Sequence, residues 1–277
     1  MRIITDTASD ILESEARAMG VEVVPLGIRF GEQEFSGNSP EAFDAFYQRL
    51  MQDDVFPTTS QPSPEQFAQQ FACAQANGEE ALAITISSCL SGTYNSAMNG
   101  LELCGSENAA VFDTQKATVL QRMMVEYAVR MRNEGKNLRQ MLPLLENLRS
   151  RICGGGYVAT LTYLKKGGRI PPSIAALGNL LHMKPILSVE NGVLNCVSKK
   201  RGEKAASAAL LATLAAEELD PDWPVYFGYT GMREPVEAFR HACIEKLGLR
   251  NTSVFPVGGT IGAHTGPGAV IVAYVRK

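Results

Sequence analysis

The apolar positions in the first half of the chain form short runs that alternate with helix-like patterns. Short runs rich in β-branched residues predict buried strands at residues 2–5, 83–86 and 109–114, and a further strand-like stretch covers 21–30. Helical patterns fill the intervals. Two of them end near Met19 and Asp53, and three others cover residues 64–76, 117–133 and 138–149. This alternation of strands and helices predicts a mostly parallel sheet with covering helices.

The pattern changes after the glycine triplet 154–156, which we interpret as a domain boundary. Asn191-Gly192 separates apolar runs at 184–189 and 193–198 and predicts a β-hairpin. The other predicted elements are strands at 157–161, 225–229, 253–257 and 270–275, and helices at 174–181, 203–219 and 235–247. The sequence therefore predicts an α/β fold of two domains. Residues 1–153 form a mostly parallel sheet with covering helices, and residues 154–277 form a mixed or antiparallel sheet with helices.

A polar turn, Ser87 to Gly92, follows the strand at 83–86 and precedes helix-compatible residues. Hydroxyl groups and free backbone N–H groups at the start of a helix suit an anion such as a carboxylate or a phosphate. An ordinary strand–turn–helix connection with a serine cap has the same pattern.

Two other segments carry candidate ligand-binding groups. Thr58, Thr59 and Ser60 lie between prolines and have no evident local role, so they are candidate hydrogen-bond donors on a stiffened loop, although a solvated loop has the same sequence pattern. The stretch 258–268 contains five glycines and His264, and glycine at that density lets a backbone approach a ligand closely. We therefore predict a site role for His264 and structural roles for the other two histidines.

Composition restricts the classes of function. A formal net charge of −3 argues against nucleic-acid binding, and 45% hydrophobic with 20% charged residues is typical of a globular protein. The chain start predicts no secretory signal, and no apolar run is long enough to cross a bilayer, which predicts a cytoplasmic protein. The six cysteines form no metal-binding pair, and we expect all six to be small buried residues.

Sequence signatures of nucleotide- and metal-dependent enzymes are missing, as is the glycine–serine elbow of common hydrolases. A serine hydrolase built from Ser91, His264 and either Asp6 or Asp113 remains open. Basic residues cluster at 165–169 and 199–204. These clusters are either solvated surface or a docking face for an acidic or phosphorylated partner.

Taken together, the motifs resemble those of the DegV family of bacterial proteins, which bind fatty acids. The matching stretches follow the family order and cover the whole chain. They are 5–10, 59–63, 86–94, 163–170, 184–187, 200–202 and 261–268. Small departures occur at Thr7-Ala8, Cys89 and Ala263, where the family more often has Ser-Thr, glycine and threonine. These departures bear mainly on the preferred length of the acyl chain.

The resemblance implies two α/β domains with a long-chain fatty acid, such as palmitate or oleate, between them. It places the carboxylate near the hydroxyls of Thr59 and Ser91, with Arg169 and His264 in the surrounding polar network. It also implies a partner, a fatty-acid kinase that phosphorylates the bound acid for phospholipid synthesis, with Arg201 and Lys165 as candidate docking residues. No cofactor is implied, and we expect a monomer with at most transient contact with a membrane surface.

The leading hypothesis is therefore a carrier without enzymatic activity of its own. The first alternative is an acyl hydrolase or transferase with Ser91 as nucleophile and His264 as base. The second is a binding protein for a different amphipathic anion.

Overall fold

The computed structural model describes residues 1–171 and 182–277 and contains three β-sheets with flanking helices. The helices are α1 Glu13–Met19, α2 Pro40–Gln52, α3 Pro64–Ala76, α4 Thr93–Cys104, α5 Thr118–Asn133, α6 Leu138–Arg151, α7 Thr162–Lys166, α8 Glu203–Ala215, α9 Glu234–Leu247 and α10 Gly259–Thr265. The strands are β1 Arg2–Asp6, β2 Val21–Val24, β3 Gly27–Phe30, β4 Gln33–Phe35, β5 Pro57–Ser60, β6 Ala81–Thr85, β7 Ala109–Asp113, β8 Ile152–Tyr157, β9 Met183–Glu190, β10 Val193–Arg201, β11 Val225–Tyr229, β12 Thr252–Pro256 and β13 Val270–Val275. The helix predicted at 174–181 lies outside the described residues.

The first sheet is parallel throughout and has the strand order β2-β1-β6-β7. Its two central strands are completely buried at Ile3, Ile4, Leu82 and Ile84, as expected for parallel strands covered by helices on both faces. The parallel sheet predicted for the first half of the chain is therefore confirmed.

The second sheet has six strands in the order β10-β9-β8-β13-β11-β12. Strands β11 and β12 are parallel, and the other neighbours are antiparallel, so the sheet is mixed as predicted. The predicted hairpin is confirmed, because β9 and β10 pair from Glu190 and Val193 on either side of Asn191-Gly192. The fold class predicted from the sequence is thus correct.

A third, small antiparallel sheet, β4-β3-β5, was not predicted. The stretch 21–30 splits at Pro25 into β2 and β3, which belong to different sheets. Proline has no N–H to donate to a strand neighbour, which favours a break there. Thr58, Thr59 and Ser60 lie in β5 and not on a loop, because Pro57–Ser60 pairs with Gly27–Phe30.

Helix α5 lies between the two large sheets and joins their cores. Its buried residues Leu120, Met123 and Val125 belong to a single apolar cluster with Ile3 of β1 and Ile271 of β13. The start of α5 is therefore fixed where the two halves of the chain meet, and this position defines the candidate site.

The glycine triplet 154–156 lies inside β8 and is not a linker segment. The strand predicted at 157–161 accordingly occurs at Ile152–Tyr157, because the glycines that suggested a break are part of it. The predicted boundary between residues 153 and 154 falls within this strand, and the division into two domains stays a prediction.

Replacing Gly156 by alanine is expected to lower the free energy of unfolding by about 3 kcal/mol. A Cβ atom at this position would lie 2.2 Å from the Val270 carbonyl oxygen and 3.0 Å from Ile271 Cα, so strands β8 and β13 would have to separate. Gly228→Ala in β11 is the control, because its Cβ would approach side-chain atoms no closer than 3.2 Å. Chemical denaturation measures both changes, and equal destabilisation by the two would contradict the strand-separation argument.

The glycine-rich stretch near the C-terminus forms helix α10 where a loop was predicted. Gly258, Gly259 and Gly262 lie against the aromatic rings of Phe43 and Phe46 on α2, where an added Cβ would come within 2.9 Å of a ring carbon in each case. These glycines therefore allow two helices to pack closely. The expectation that the glycines of this stretch bring the backbone close to a ligand stays a prediction.

The cysteines are not uniformly buried, contrary to the prediction. Only Cys243 is buried, whereas Cys73 and Cys89 are exposed, and the remaining three are partly exposed. Cys73 lies on the outer face of α3 and Cys89 in the turn after β6, which explains their exposure. No helix within residues 1–171 or 182–277 has the length and apolar character needed to cross a bilayer.

Candidate functional site

A largely apolar cavity lies where the turn after β6 and the start of α5 face the six-stranded sheet. The space between its lining residues is about 890 Å³, including the part that is open to solvent. Its apolar lining residues are Leu26, Ile86, Leu90, Ala117, Leu120, Val158, Leu164, Leu187, Val189, Leu194, Ile261, Ala269 and Ile271. Such a wall suits a long hydrocarbon chain.

The structure brings four of the predicted site residues to this one cavity. Thr59 from β5, Ser91 from the turn after β6, Arg169 from the segment after α7 and His264 from α10 all line it. The guanidinium of Arg169 is fixed by two carbonyl groups, since Nε donates to the Leu90 oxygen at 3.1 Å and Nη1 donates to the Gly167 oxygen at 2.6 Å. Because neither partner is an acid, the positive charge remains available to an anionic ligand.

Two of these four residues, His264 and Thr59, form a hydrogen bond with each other. The distance between His264 Nε2 and Thr59 Oγ1 is 2.8 Å, whereas Nδ1 is buried and has no hydrogen-bond partner among residues 1–171 and 182–277. We assign the proton to Nε2, which leaves Nδ1 as an unpaired acceptor and not as an unpaired donor. His264 then donates to Thr59, and the Thr59 hydroxyl proton is free to reach a ligand.

The environment of His264 keeps its ring neutral. Burial, followed by the positive charge of Arg169, lowers its pKa to about 4. Gly167 lies directly beside the ring, because a Cβ there would come 2.1 Å from Nδ1. His264 therefore acts in this site as a neutral hydrogen-bond donor and not as a cation.

We expect the NMR signals of the His264 ring in lipid-free protein to titrate near pH 4 and to stay constant from about pH 6 upward, because burial and Arg169 both disfavour the charged ring. The variant His264→Gln assigns the signals by their disappearance. A titration midpoint near the ordinary value of 6.5 would contradict the neutral donor.

Ser91 lies just before α4, whose first residue is Thr93. Its Oγ is 2.8 Å from Thr93 Oγ1 and accepts from the Thr93 N–H at 3.3 Å. When the Thr93 hydroxyl donates to Ser91, the Ser91 proton is free to reach a ligand. Two hydroxyl donors and one guanidinium are then available at the same cavity.

Two buried aspartates support the site. From the sequence, Asp6 was considered only as a member of a hydrolase triad, and Asp10 was given no role. Asp6 accepts from the Ala8 N–H at 2.9 Å and the Ile86 N–H at 2.8 Å, and burial raises its pKa to about 6. Asp10 accepts from the Gly258 N–H at 2.9 Å, and burial raises its pKa to about 7. They connect the turn after β1 to the end of β6 and to the start of α10. Both aspartates lie at the carboxyl end of the parallel strand β1, where α/β sheets usually bind ligands, and this position could have indicated their role from the sequence.

The two predicted docking residues do not line the cavity. Lys165 lies on α7 and Arg201 at the end of β10, and both side chains are exposed. Their role in binding a partner therefore stays a prediction.

Among the described residues, Ser91 and His264 are not hydrogen-bonded to each other, although a serine hydrolase built from them would need that bond. The general base of such an enzyme needs to lie within hydrogen-bond reach of its nucleophile and to be oriented by a third group. Here His264 Nε2 pairs with Thr59, Ser91 Oγ pairs with Thr93, and Asp6 accepts from two backbone N–H groups. Asp113 accepts from Ser88. In the described part of the chain, no group of three or more histidine, cysteine or acidic side chains is placed to hold a metal ion.

Comparison with known proteins gives matches over the full length of the chain. The DegV family model matches residues 1–277. A DegV domain-containing protein of Lactococcus lactis is 31% identical over 283 aligned residues, which cover 100% of this chain and 98% of the relative.

Two solved structures have similar folds. A DegV family protein from Thermus thermophilus, described as fatty-acid binding, is 34% identical with a TM-score of 0.87, and the match covers 99% of this chain and 100% of that one. A stearic-acid-binding protein from Eubacterium ventriosum is 27% identical with a TM-score of 0.88, and the match covers 100% of this chain and 99% of that one.

Proposed function

Because the chain belongs to the DegV family, we propose that it is a fatty-acid-binding protein that buries a long acyl chain and holds the carboxylate at Thr59 and Ser91. The observation that carries the proposal is the convergence of Thr59, Ser91, Arg169 and His264 on one otherwise apolar cavity. The fatty-acid binding described for the Thermus thermophilus and Eubacterium ventriosum proteins supports the same ligand class.

The acyl chain supplies most of the binding free energy. Some fourteen methylenes of palmitate at ~0.8 kcal/mol each give roughly 11 kcal/mol of gross transfer free energy. Association and ordering cost a large share of this, which leaves room for a submicromolar dissociation constant. Because the cavity wall is apolar along most of its extent, the acyl chain can be buried without leaving polar groups of the protein unpaired.

The polar side chains that line the cavity bind the carboxylate of the fatty acid. A carboxylate removed from water needs several donors, since an unpaired buried charge is very costly. Thr59 and Ser91 each offer a hydroxyl proton, and Arg169 supplies the compensating positive charge nearby. His264 acts through Thr59, by donating to its oxygen so that the Thr59 proton points to the ligand.

Equilibrium binding of palmitate and oleate to lipid-free protein tests this function. We expect one acid to bind per chain, and an amphipathic anion without a carboxylate, such as a long-chain alkyl sulfate, to bind more weakly. No saturable binding of either acid would overturn the proposal. A serine-directed phosphonate probe should leave Ser91 unlabelled, whereas stoichiometric labelling would favour the hydrolase.

The role of the carrier is to present the acid to a partner. A fatty-acid kinase would transfer the terminal phosphoryl group of a nucleoside triphosphate to the bound carboxylate, giving an acyl-phosphate for phospholipid synthesis and a nucleoside diphosphate. The carrier itself makes and breaks no bond. The exposed cations Lys165 and Arg201 suit docking to an acidic face of such a kinase. The monomeric state, the cytoplasmic location and at most transient contact with a membrane surface stay predictions.

Replacing Arg201 or Lys165 by alanine tests the docking role. Each variant should slow acyl-phosphate formation by an added fatty-acid kinase while the fatty-acid content of the protein stays unchanged. Arg250→Ala removes an exposed cation from another surface and serves as the matched control. An equal fall in fatty-acid content would assign these residues to the pocket and overturn the docking role.

A further inference from the structure

The hydroxyl of Thr118 is a buried polar group in the wall of the otherwise apolar part of the cavity. Thr118 lines the cavity and is only 7% exposed, and among the described residues its Oγ1 has no well-aligned hydrogen-bond partner. Threonine could have been replaced there by valine at no cost in shape, so a buried unpaired hydroxyl needs an explanation.

The other polar side chains that line the described part of the cavity all have partners. Thr59 pairs with His264, Ser91 with Thr93, and Arg169 donates to two carbonyl groups. Thr260 pairs with Thr7, and Thr265 donates to the Ile261 carbonyl oxygen. Thr118 is therefore the exception within this part of the wall.

The backbone at Thr118 is in an unusual conformation. Its φ is +53°, in the left-handed region, which a β-branched residue seldom adopts. Strain of this kind is concentrated at ligand-binding and active sites. Thr118 is the first residue of α5, and the preceding Ala117 provides no side-chain cap, so the conformation is not explained by capping.

Asp10 adds a second unsatisfied group beside Thr118. Asp10 is fully buried, and its Oδ1 accepts from the Gly258 N–H, while Oδ2 has no well-aligned partner in the part of the chain that the structure describes. Arg122 does not satisfy it, because its Nη1 reaches the Asp10 backbone oxygen at 3.1 Å and its other bonds go to Glu15 and Glu126. A hydrogen bond from the Thr118 hydroxyl lowers the pKa of Asp10, but the bond is poorly aligned, and among the described residues neither Oγ1 nor Oδ2 has a well-aligned partner.

We propose that Thr118 forms a second polar subsite in the acyl cavity, which takes a hydroxyl group carried on the hydrocarbon chain of the ligand. The inference rests on the proposed fatty-acid binding and defines the substrate class more narrowly, as a hydroxylated long-chain fatty acid. The ligand hydroxyl donates to Thr118 Oγ1 or accepts from it. The apolar neighbours Ala117, Leu120 and Ile261 bury the adjoining methylenes.

Such a subsite gives positional selectivity. A hydroxyl placed against an apolar part of the wall loses its hydrogen bonds to water and gains none, which weakens binding. A hydroxyl placed at Thr118 regains a bond and also satisfies a buried protein group. Selectivity therefore depends on the position of the hydroxyl along the chain.

Binding of stearate and of a positional series of monohydroxystearates to lipid-free protein tests the inference. We expect one isomer, or two adjacent ones, to bind at least as tightly as stearate and the others about 10-fold more weakly. Thr118→Val should weaken the favoured isomer about 10-fold and stearate less than about 3-fold, whereas Thr118→Ser should retain the preference. Thr213→Val, which removes an exposed hydroxyl that donates to the Ala209 carbonyl oxygen within its own helix and does not line the cavity, should leave the ranking of isomers unchanged.

The wild-type ranking does not depend on how the variants fold. Uniformly weaker binding of every isomer than of stearate would overturn the subsite and leave the fatty-acid-binding function intact, and it would indicate that Thr118 bonds to Asp10 in the loaded protein. An isomer ranking that Thr118→Val does not alter would also overturn it. Failure to bind stearate and every isomer would overturn the proposed function and this inference together.

Discussion

Changing Thr59 to valine and Ser91 to alanine together is expected to weaken palmitate binding by about 100-fold or more. Each hydroxyl supplies a hydrogen bond to a charged carboxylate, and such bonds contribute ~1.5 kcal/mol or more each, so losing both costs about 3 kcal/mol. Valine has nearly the shape of threonine, and the alanine removes a single oxygen. The loss therefore reports hydrogen bonding and not a change in cavity shape.

Thr58→Val is the matched control for this pair. Thr58 lies on the same strand β5, but its side chain is exposed, and Thr59 is the neighbour that lines the cavity. Titration calorimetry should give wild-type affinity for Thr58→Val, and circular dichroism should show that all the variants are folded. Retention of wild-type palmitate affinity by the double variant would show that the carboxylate lies elsewhere.

The second large effect is expected at Arg122, where replacement by methionine should lower the free energy of unfolding by about 3–5 kcal/mol. Arg122 is 3% exposed and donates to both oxygens of Glu15 at 2.9 and 2.6 Å and to Glu126 at 2.8 Å. Its guanidinium also lies 3.7 Å from the centre of the Phe255 ring. Removing it leaves two acids without their partner, at the point where α5 joins the two halves of the chain.

Arg17→Met is the control for Arg122. Arg17 pairs with Glu13 on the surface of α1, and with side chains 78% and 72% exposed this pair should contribute less than about 0.5 kcal/mol. Chemical denaturation of both variants measures the difference. A loss at Arg122 no larger than at Arg17 would contradict its role as a buried link.

Sequence patterns predicted those parts of the fold that depend on local periodicity. The parallel sheet, the mixed sheet and the hairpin at Asn191-Gly192 are confirmed, because apolar periodicity and turn chemistry specify them. The strand β5 was missed because Pro57–Ser60 is short and polar and is a strand only through its partner β3. Helix α10 was missed because glycine lowers helix propensity, and packing against Phe43 and Phe46 outweighs that preference.

The site was predictable to the extent that its motifs are recognisable. The resemblance to the DegV family is confirmed, and its motifs led to four residues that the structure brings to one cavity. The pairing of Thr59 with His264 links residues 205 positions apart, and that of Asp10 with Gly258 links residues 248 positions apart. No local pattern specifies such contacts. The unpaired hydroxyl of Thr118 likewise depends on side-chain positions that only the folded chain defines.

Mass spectrometry of an organic extract from the purified, folded protein tests the central claim most directly. Our account predicts about one long-chain fatty acid per chain, and a mass that includes an additional oxygen would support the subsite at Thr118. A blank extract, followed by no uptake of palmitate or oleate on incubation, would contradict the fatty-acid-binding function.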